Sequence, residues 1–237
     1  KLHGYLGCVS QVDFAVGEIM AWLNKHGLAD DTIVVYTSDH GDYATEHGLI
    51  EKAPGISSDA ITRIPYIWRC PSRFKAGHVS TEIVETVDMP TTLCALAGLE
   101  PMATSDGKDL TPLLEGGNEP LHEIGVTEFA WSRSVREGNY RYIYYPRQRF
   151  ADQYPDGFGE LYDLEQDPWE MNNLYFEAEH APRIARMERQ LMDWLVTTTR
   201  PVTTLGADAP RDSWQAYTRF KHTVYRDGKM SPDTLMG

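Results

Sequence analysis

Apolar residues Leu6, Val9, Val12, Val16, Ile19, Met20 and Leu23 recur at three- and four-residue steps. That spacing predicts an amphipathic helix over residues 5–26, with Gly27 as its C-cap. The pattern then switches. Ile33, Val34, Val35, Tyr36 and Thr37 are all β-branched or aromatic, as in a strand buried on both faces. A helix feeding directly into such a strand is an α/β unit. Residues 42–60 lose all periodicity and read as a long loop, which in a compact domain is more often functional than idle.

Residues 64–69 give a second strand, with Pro65 at its start. Residues 80–87 are short and extended or helical. A helix follows, with Asp88 as N-cap, Pro90 in the first turn and Gly98 at its end. Residues 99–120 are a turn-rich connector. Short strands are expected at 126–131, 134–137, 140–145 and 160–164, with Glu137-Gly138-Asn139 closing a hairpin. A helix over 181–197 covers that antiparallel sheet with the stripe Ile184, Met187, Leu191, Trp194 and Leu195. Beyond residue 198 the pattern fades. Trp214, Tyr217, Phe220 and Tyr225 suggest an arm laid over another surface, the alternative being a loosely ordered C-terminus. The expected organisation is an α/β part over 1–120, an antiparallel-sheet subdomain over 121–199 and an extended arm over 200–237.

At 237 residues, 41% hydrophobic and 24% charged, the chain can bury an ordinary core. A net charge of −13 excludes the basic face of a nucleic-acid binder. An anionic substrate would therefore need a local positive site to draw it in. Cys8, Cys70 and Cys94 are too scattered for a disulfide framework or zinc cluster. No apolar run is expected to reach a membrane span. The start carries no signal-peptide pattern, so the chain reads as processed, truncated or split. The compartment stays open, a bacterial cytoplasm or periplasm being the preference.

The chemistry gathers where the first strand ends, in Ser38-Asp39-His40-Gly41. Strand carboxyl ends are where α/β sheets bind ligands. Lys52 follows through Glu46-His47-Gly48. A carboxylate, an imidazole and a cation within fourteen residues suggest a site for a metal and an oxyanion.

Taken in order, Asp31 to Gly41, Glu46-His47-Gly48, Lys52, Arg63-Ile64-Pro65, Val87 to Leu93 and Ala97-Gly98 resemble the second half of a type I sulfatase of the alkaline-phosphatase superfamily. Glu160 to Leu164, Asp167-Pro168 and Asn172-Asn173-Leu174 resemble that family's C-terminal subdomain. Phosphonate monoester hydrolases share the same half-pattern. The resemblance implies an α/β sandwich built on a mostly parallel sheet, with a smaller antiparallel sheet behind it. It also implies a hydrolase of sulfate esters or, alternatively, of phosphonate monoesters or phosphodiesters.

By the same resemblance Asp39 and His40 would ligate one divalent cation, with calcium expected and manganese or magnesium the alternatives. Lys52 would contact the sulfate or phosphate group as a catalytic and substrate-binding residue, and His47 lies in a recurrent motif as a further substrate-binding candidate. Cys70-Pro71-Ser72-Arg73 imitates the formylglycine signature Cys-x-Pro-Ser-Arg but lacks the intervening residue, so Cys70 reads as structural. The nucleophile would lie in an N-terminal part of the same protein, outside this sequence. The partners expected are that part, a small anionic sulfate or phosphate ester and a second copy of the chain. A non-catalytic assembly module is the reading from a different class.

Overall fold

The computed structural model describes residues 2–52, 55–100, 102 and 105–198, together with the backbone of 225–226 and 229–230. Residues 1–198 and 199–237 form two separate compact units. The expected division near residue 120 falls inside the first. In the second, strands β7 (Tyr225–Arg226) and β8 (Lys229–Met230) pair antiparallel. The rest of the expected arm lies outside the described residues.

Helix α1 spans Leu2–Lys25. It ends as its sequence dictates: Gly27 takes the left-handed conformation at φ 69°, and Leu28 N–H donates to Leu23 O. Its environment differs from expectation. Leu23 is its one buried residue, whereas Leu6, Val9, Val12, Phe14, Ile19 and Trp22 are exposed. By length and hydropathy α1 is apolar enough to cross a membrane, contrary to the expectation that no segment would be. Asp13 and Glu18 argue against that use, because a carboxylate at the centre of a span costs roughly 2.5–3.5 kcal/mol.

Strand β1 (Val34–Thr37) pairs antiparallel with β2 (Tyr66–Arg69), Val34 facing Arg69 and Thr37 facing Tyr66. The α/β class holds, but no parallel pairing occurs among the described residues. The link between β1 and β2 explains this. It contains a 3₁₀ turn at Glu46–Gly48 and the short helix α2 (Asp59–Thr62) in place of the long crossover helix that usually joins parallel strands. With a single partner, β1 is only half-buried and Tyr36 is exposed, so burial on both faces is not realised here.

Helix α3 (Asp88–Leu96) begins where predicted, but Asp88 does not act as its N-cap. The cap position is Val87, and the fully buried Asp88 carboxylate accepts instead from Glu85 N–H, Lys108 N–H and His122 Nε2. That buried carboxylate pins the connector, which also holds the short helix α4 (Thr111–Leu114).

Strands β3 (Gly125–Phe129), β4 (Ser132–Glu137), β5 (Tyr140–Tyr144) and β6 (Gly159–Asp163) form an antiparallel sheet in that order. Gly138 turns the β4–β5 hairpin at φ 54°. Val135, Tyr142 and Leu161 lie in one row across β4, β5 and β6. They pack against Ile184, Met187 and Leu191 of α5 (Ala181–Thr198), the predicted stripe. The opposite face carries Ile143 and Tyr145 and meets Ile56 and Trp131. The long loop leaving Lys52 is thereby seated on the back of this sheet.

Candidate functional site

The turn after β1 needs glycine for close approach. A Cβ on Gly41 would lie 2.0 Å from the Ala60 carbonyl oxygen, and Gly41 N–H donates to Ile61 O at 2.7 Å. This fixes the strand end to α2. The chain then doubles back. Asp42 Oδ1 accepts from Ala44 N–H and Glu51 N–H, and Tyr43 N–H donates to Glu51 O. Tyr43 is buried, with its hydroxyl accepting from Ser58 Oγ at 2.8 Å. The reversal delivers Lys52 beside His40.

His40 Nδ1 lies 2.7 Å from Gly41 O, and Nε2 lies 2.9 Å from Lys52 Nζ. The ammonium has no lone pair, so Nε2 accepts and Nδ1–H donates to the carbonyl. The imidazole is thus oriented, with its Nε2 3.4 Å from Asp39 Oδ2. A backbone carbonyl that fixes the tautomer is the usual support of a metal-binding histidine. Asp39 is largely exposed, and its Oδ1 accepts from His40 N–H at 3.0 Å and Ser38 Oγ at 3.3 Å. Chiefly that backbone N–H, aided by the Ser38 hydroxyl, holds the Asp39 carboxyl below its ordinary range. Asp39 Oδ2 and His40 Nε2, 3.4 Å apart, are donor types that fit a divalent metal, with Lys52 Nζ standing 2.9 Å from Nε2.

The structure therefore brings Asp39, His40 and Lys52 together. It does not bring in His47, which sits at φ 51° in the 3₁₀ turn and packs edge-on against Tyr43. Cys70 follows β2 directly, buried, with Sγ 3.5 Å from Asp30 O. The three cysteines are free. Among the described residues, three ligating side chains close enough to share a metal occur at Glu177, Glu179 and His180, on the surface. Asp39 and His40 by themselves supply two donors.

Sequence reasoning missed the support under the site. Arg141, on the loop-facing side of β5, is 5% exposed; its guanidinium reaches the Asp59 carboxylate, Thr62 Oγ1 at 2.7 Å and Ser57 O at 3.2 Å. Arg141 Nε also lies 3.0 Å from Glu170 Oε1, a close ion pair without hydrogen-bond alignment. Glu170 Oε2 accepts from Asp59 N–H at 2.9 Å. Burial outweighs Arg141 and pushes the Glu170 carboxyl up to about 7. The one sequence signal was the Asp167-Pro168 turn three residues ahead of Glu170.

Residues 1–99 match the family model described as Sulfatase. An N-acetylglucosamine-6-O-sulfatase from Bacteroides thetaiotaomicron is 32% identical over 217 residues, covering 84% of this chain and 36% of that protein. A structure determined in complex with its substrate D-glucosamine-2-N,6-O-disulfate superposes with a TM-score of 0.69 at 30% identity, over 82% of this chain and 40% of the other. The phosphonate monoester hydrolase of Agrobacterium radiobacter superposes with a TM-score of 0.69 at 25% identity, over 82% and 41%. The chain thus spans about two fifths of the length of these proteins.

Proposed function

Because the chain belongs to the sulfatase family of the alkaline-phosphatase superfamily, we propose that it is part of a metal-dependent hydrolase that cleaves sulfate esters. The observation that carries this reading is the corner formed by Asp39, His40 and Lys52. Asp39 and His40 would hold one divalent cation. The carboxylate suits calcium, and the imidazole is accommodated more readily by manganese or magnesium. Bound there, the cation would neutralise oxyanion charge as the ester is cleaved.

This chain's own residues do the rest of the positioning. Gly41 O orients the His40 ring through Nδ1, and Nε2 would face the metal once Lys52, now 2.9 Å from it, turns to the anion. Lys52, a compact point charge at the edge of the loop, would meet the non-bridging sulfate oxygens. It is also the local positive charge that draws an anion against the overall −13. The nucleophile and the remaining ligands would come from a part of the protein outside this chain, and the exposed apolar side chains of α1 would pack against that part. The expected homo-oligomer rests on an arm outside the described residues.

The test uses the full-length protein carrying this chain and p-nitrophenyl sulfate. Hydrolysis should stop on chelation, return with calcium or manganese and be lost in Asp39→Ala with the fold retained. Metal-replete protein inactive on every sulfate ester would overturn the reading. An Asp39→Ala protein as active as wild type would favour the assembly-module alternative. A second reading, hydrolysis of phosphonate monoesters or phosphodiesters, draws on the phosphonate monoester hydrolase structure that superposes with the same TM-score at lower identity. The ratio of kcat/KM for phenyl sulfate to that for a phenyl phosphonate monoester separates the two.

A further inference from the structure

Behind the Asp39–His40 turn runs a continuous set of hydrogen bonds whose far end lies in the C-terminal antiparallel sheet. Its last visible link is Gly41, whose carbonyl accepts from His40 Nδ1 and whose N–H donates to Ile61 O, both at 2.7 Å. Ile61 belongs to α2, one turn long and unable to hold its own place. It is held from outside. Glu170 accepts the Asp59 N–H, and Arg141 takes the Asp59 carboxylate, the Ser57 carbonyl and Thr62 Oγ1. Ser58 anchors Tyr43 on the other side of the turn. Glu170 itself sits in the left-handed region at φ 54°, a conformation a non-glycine residue keeps only when its surroundings enforce it.

We propose that Arg141 and Glu170 are positioning residues for the metal pair: by clamping α2 they set where Gly41, and hence the His40 imidazole, stands. The antiparallel sheet then carries a functional element as well as completing the core. The inference rests on the reading of Asp39 and His40 as ligands. The clamp also gives a chemical role to the turn after β6, where Asp167 accepts from Asn172 N–H and so shapes the segment that aims Glu170.

The experiment measures two quantities on the full-length protein: hydrogen exchange of the segment 38–43, and the dissociation constants for calcium and manganese by equilibrium dialysis. Glu170→Ala removes the acceptor of Asp59 N–H and the partner of Arg141. Glu170→Gln keeps shape and acceptor, and Thr62→Val removes one Arg141 contact with little risk to folding. Loss of one such bond corresponds to roughly a tenfold change. We expect exchange at 38–43 to rise roughly tenfold in Glu170→Ala and metal affinity to fall by a similar factor. Thr62→Val should show a smaller change in the same direction, and Glu170→Gln should recover most of the wild-type behaviour.

A purely structural role predicts acceleration spread equally over α5 and 38–43, or none at 38–43, and either result overturns the proposal. Unchanged exchange in Thr62→Val together with Glu170→Ala does the same. Were wild-type protein to bind neither cation and cleave no ester, the functional reading would fall, while the exchange measurement would still decide the coupling of Glu170 to Gly41.

Discussion

Replacing Gly41 by alanine tests the geometry of the site most directly. The added Cβ would sit 2.0 Å from Ala60 O, 3.0 Å from Ala60 C and 3.3 Å from Ile61 Cα. All three atoms are backbone, so no side chain can swing aside. Ordinary contact lies near 3.5 Å, so the two segments must part by about 1.5 Å. That separation breaks the 2.7 Å bond from Gly41 N–H to Ile61 O. Overpacking of this kind costs roughly 1–3 kcal/mol and the lost bond about 1 kcal/mol more. The Gly41 carbonyl turns with its peptide, and His40 Nδ1 loses the acceptor that fixes its tautomer. Losing such support typically weakens metal binding by roughly 10- to 100-fold. Urea unfolding of the full-length protein should show the stability loss, and titration calorimetry with calcium and manganese the affinity loss. Wild-type affinity together with stability within about 0.5 kcal/mol of wild type would refute the argument, because the clash admits no cheap relief.

On the proposed reading, Lys52→Ala should lower kcat on a sulfate ester by roughly 100-fold or more with the circular dichroism spectrum unchanged, since the proposed oxyanion-stabilising charge is lost and no buried group is removed. Met187→Ala, on the face of α5 that packs against the sheet and with no exposure, should cost roughly 2–5 kcal/mol of stability while leaving the activity of the folded fraction intact. The Glu170 carboxyl is pushed up to about 7 from 4.5, so its contribution to stability is fully present below pH 4.5 and is lost as pH rises through 7. The unfolding free energy of wild type, measured against Glu170→Gln, should therefore fall by ~3 kcal/mol between pH 4.5 and 8, and a difference that stays flat with pH would contradict the burial argument.

The readable parts of this chain are those whose cause is local. The 3- and 4-residue spacing of α1 and α5, the Glu137-Gly138-Asn139 hairpin and the β-branched run before Asp39 each act within a few residues. The candidate corner was legible for the same reason: Asp39 and His40 are adjacent, and the turn that returns Lys52 closes over twelve positions. What escaped depends on distant partners. Arg141 meets Asp59 across 82 positions, and Glu170 meets Asp59 N–H across 111. A charged residue in a strand and another in a loop look solvated until the fold buries them together. Asp88 was misread similarly, since the sequence offers a helix N-cap but not the Lys108 and His122 donors that claim its carboxylate. His47 stands apart from that corner. Its neighbours Glu46 and Gly48 suggested a site, yet the left-handed backbone at φ 51° turns its ring onto Tyr43.

The loop between the Asp39–His40 pair and Lys52 shows why that support is needed. Ala44, Thr45, His47 and Glu51 all have positive φ, at 45°, 85°, 51° and 59°. Such conformations cost on the order of 1 kcal/mol each for residues other than glycine, so the loop has no intrinsic preference for this path. It is held by the buried Tyr43, by Asp42 accepting two backbone donors and by the clamp on α2. A relaxed loop would carry Lys52 away from His40 and leave the −13 chain without a positive charge at the strand end. Exposed chemistry on a strained turn, with buried ionic support beneath it, is the arrangement expected when a site must be rigid before its ligand arrives. The far end of that support is Arg141 and Glu170, so on the proposed reading the antiparallel sheet belongs to the working part of the molecule.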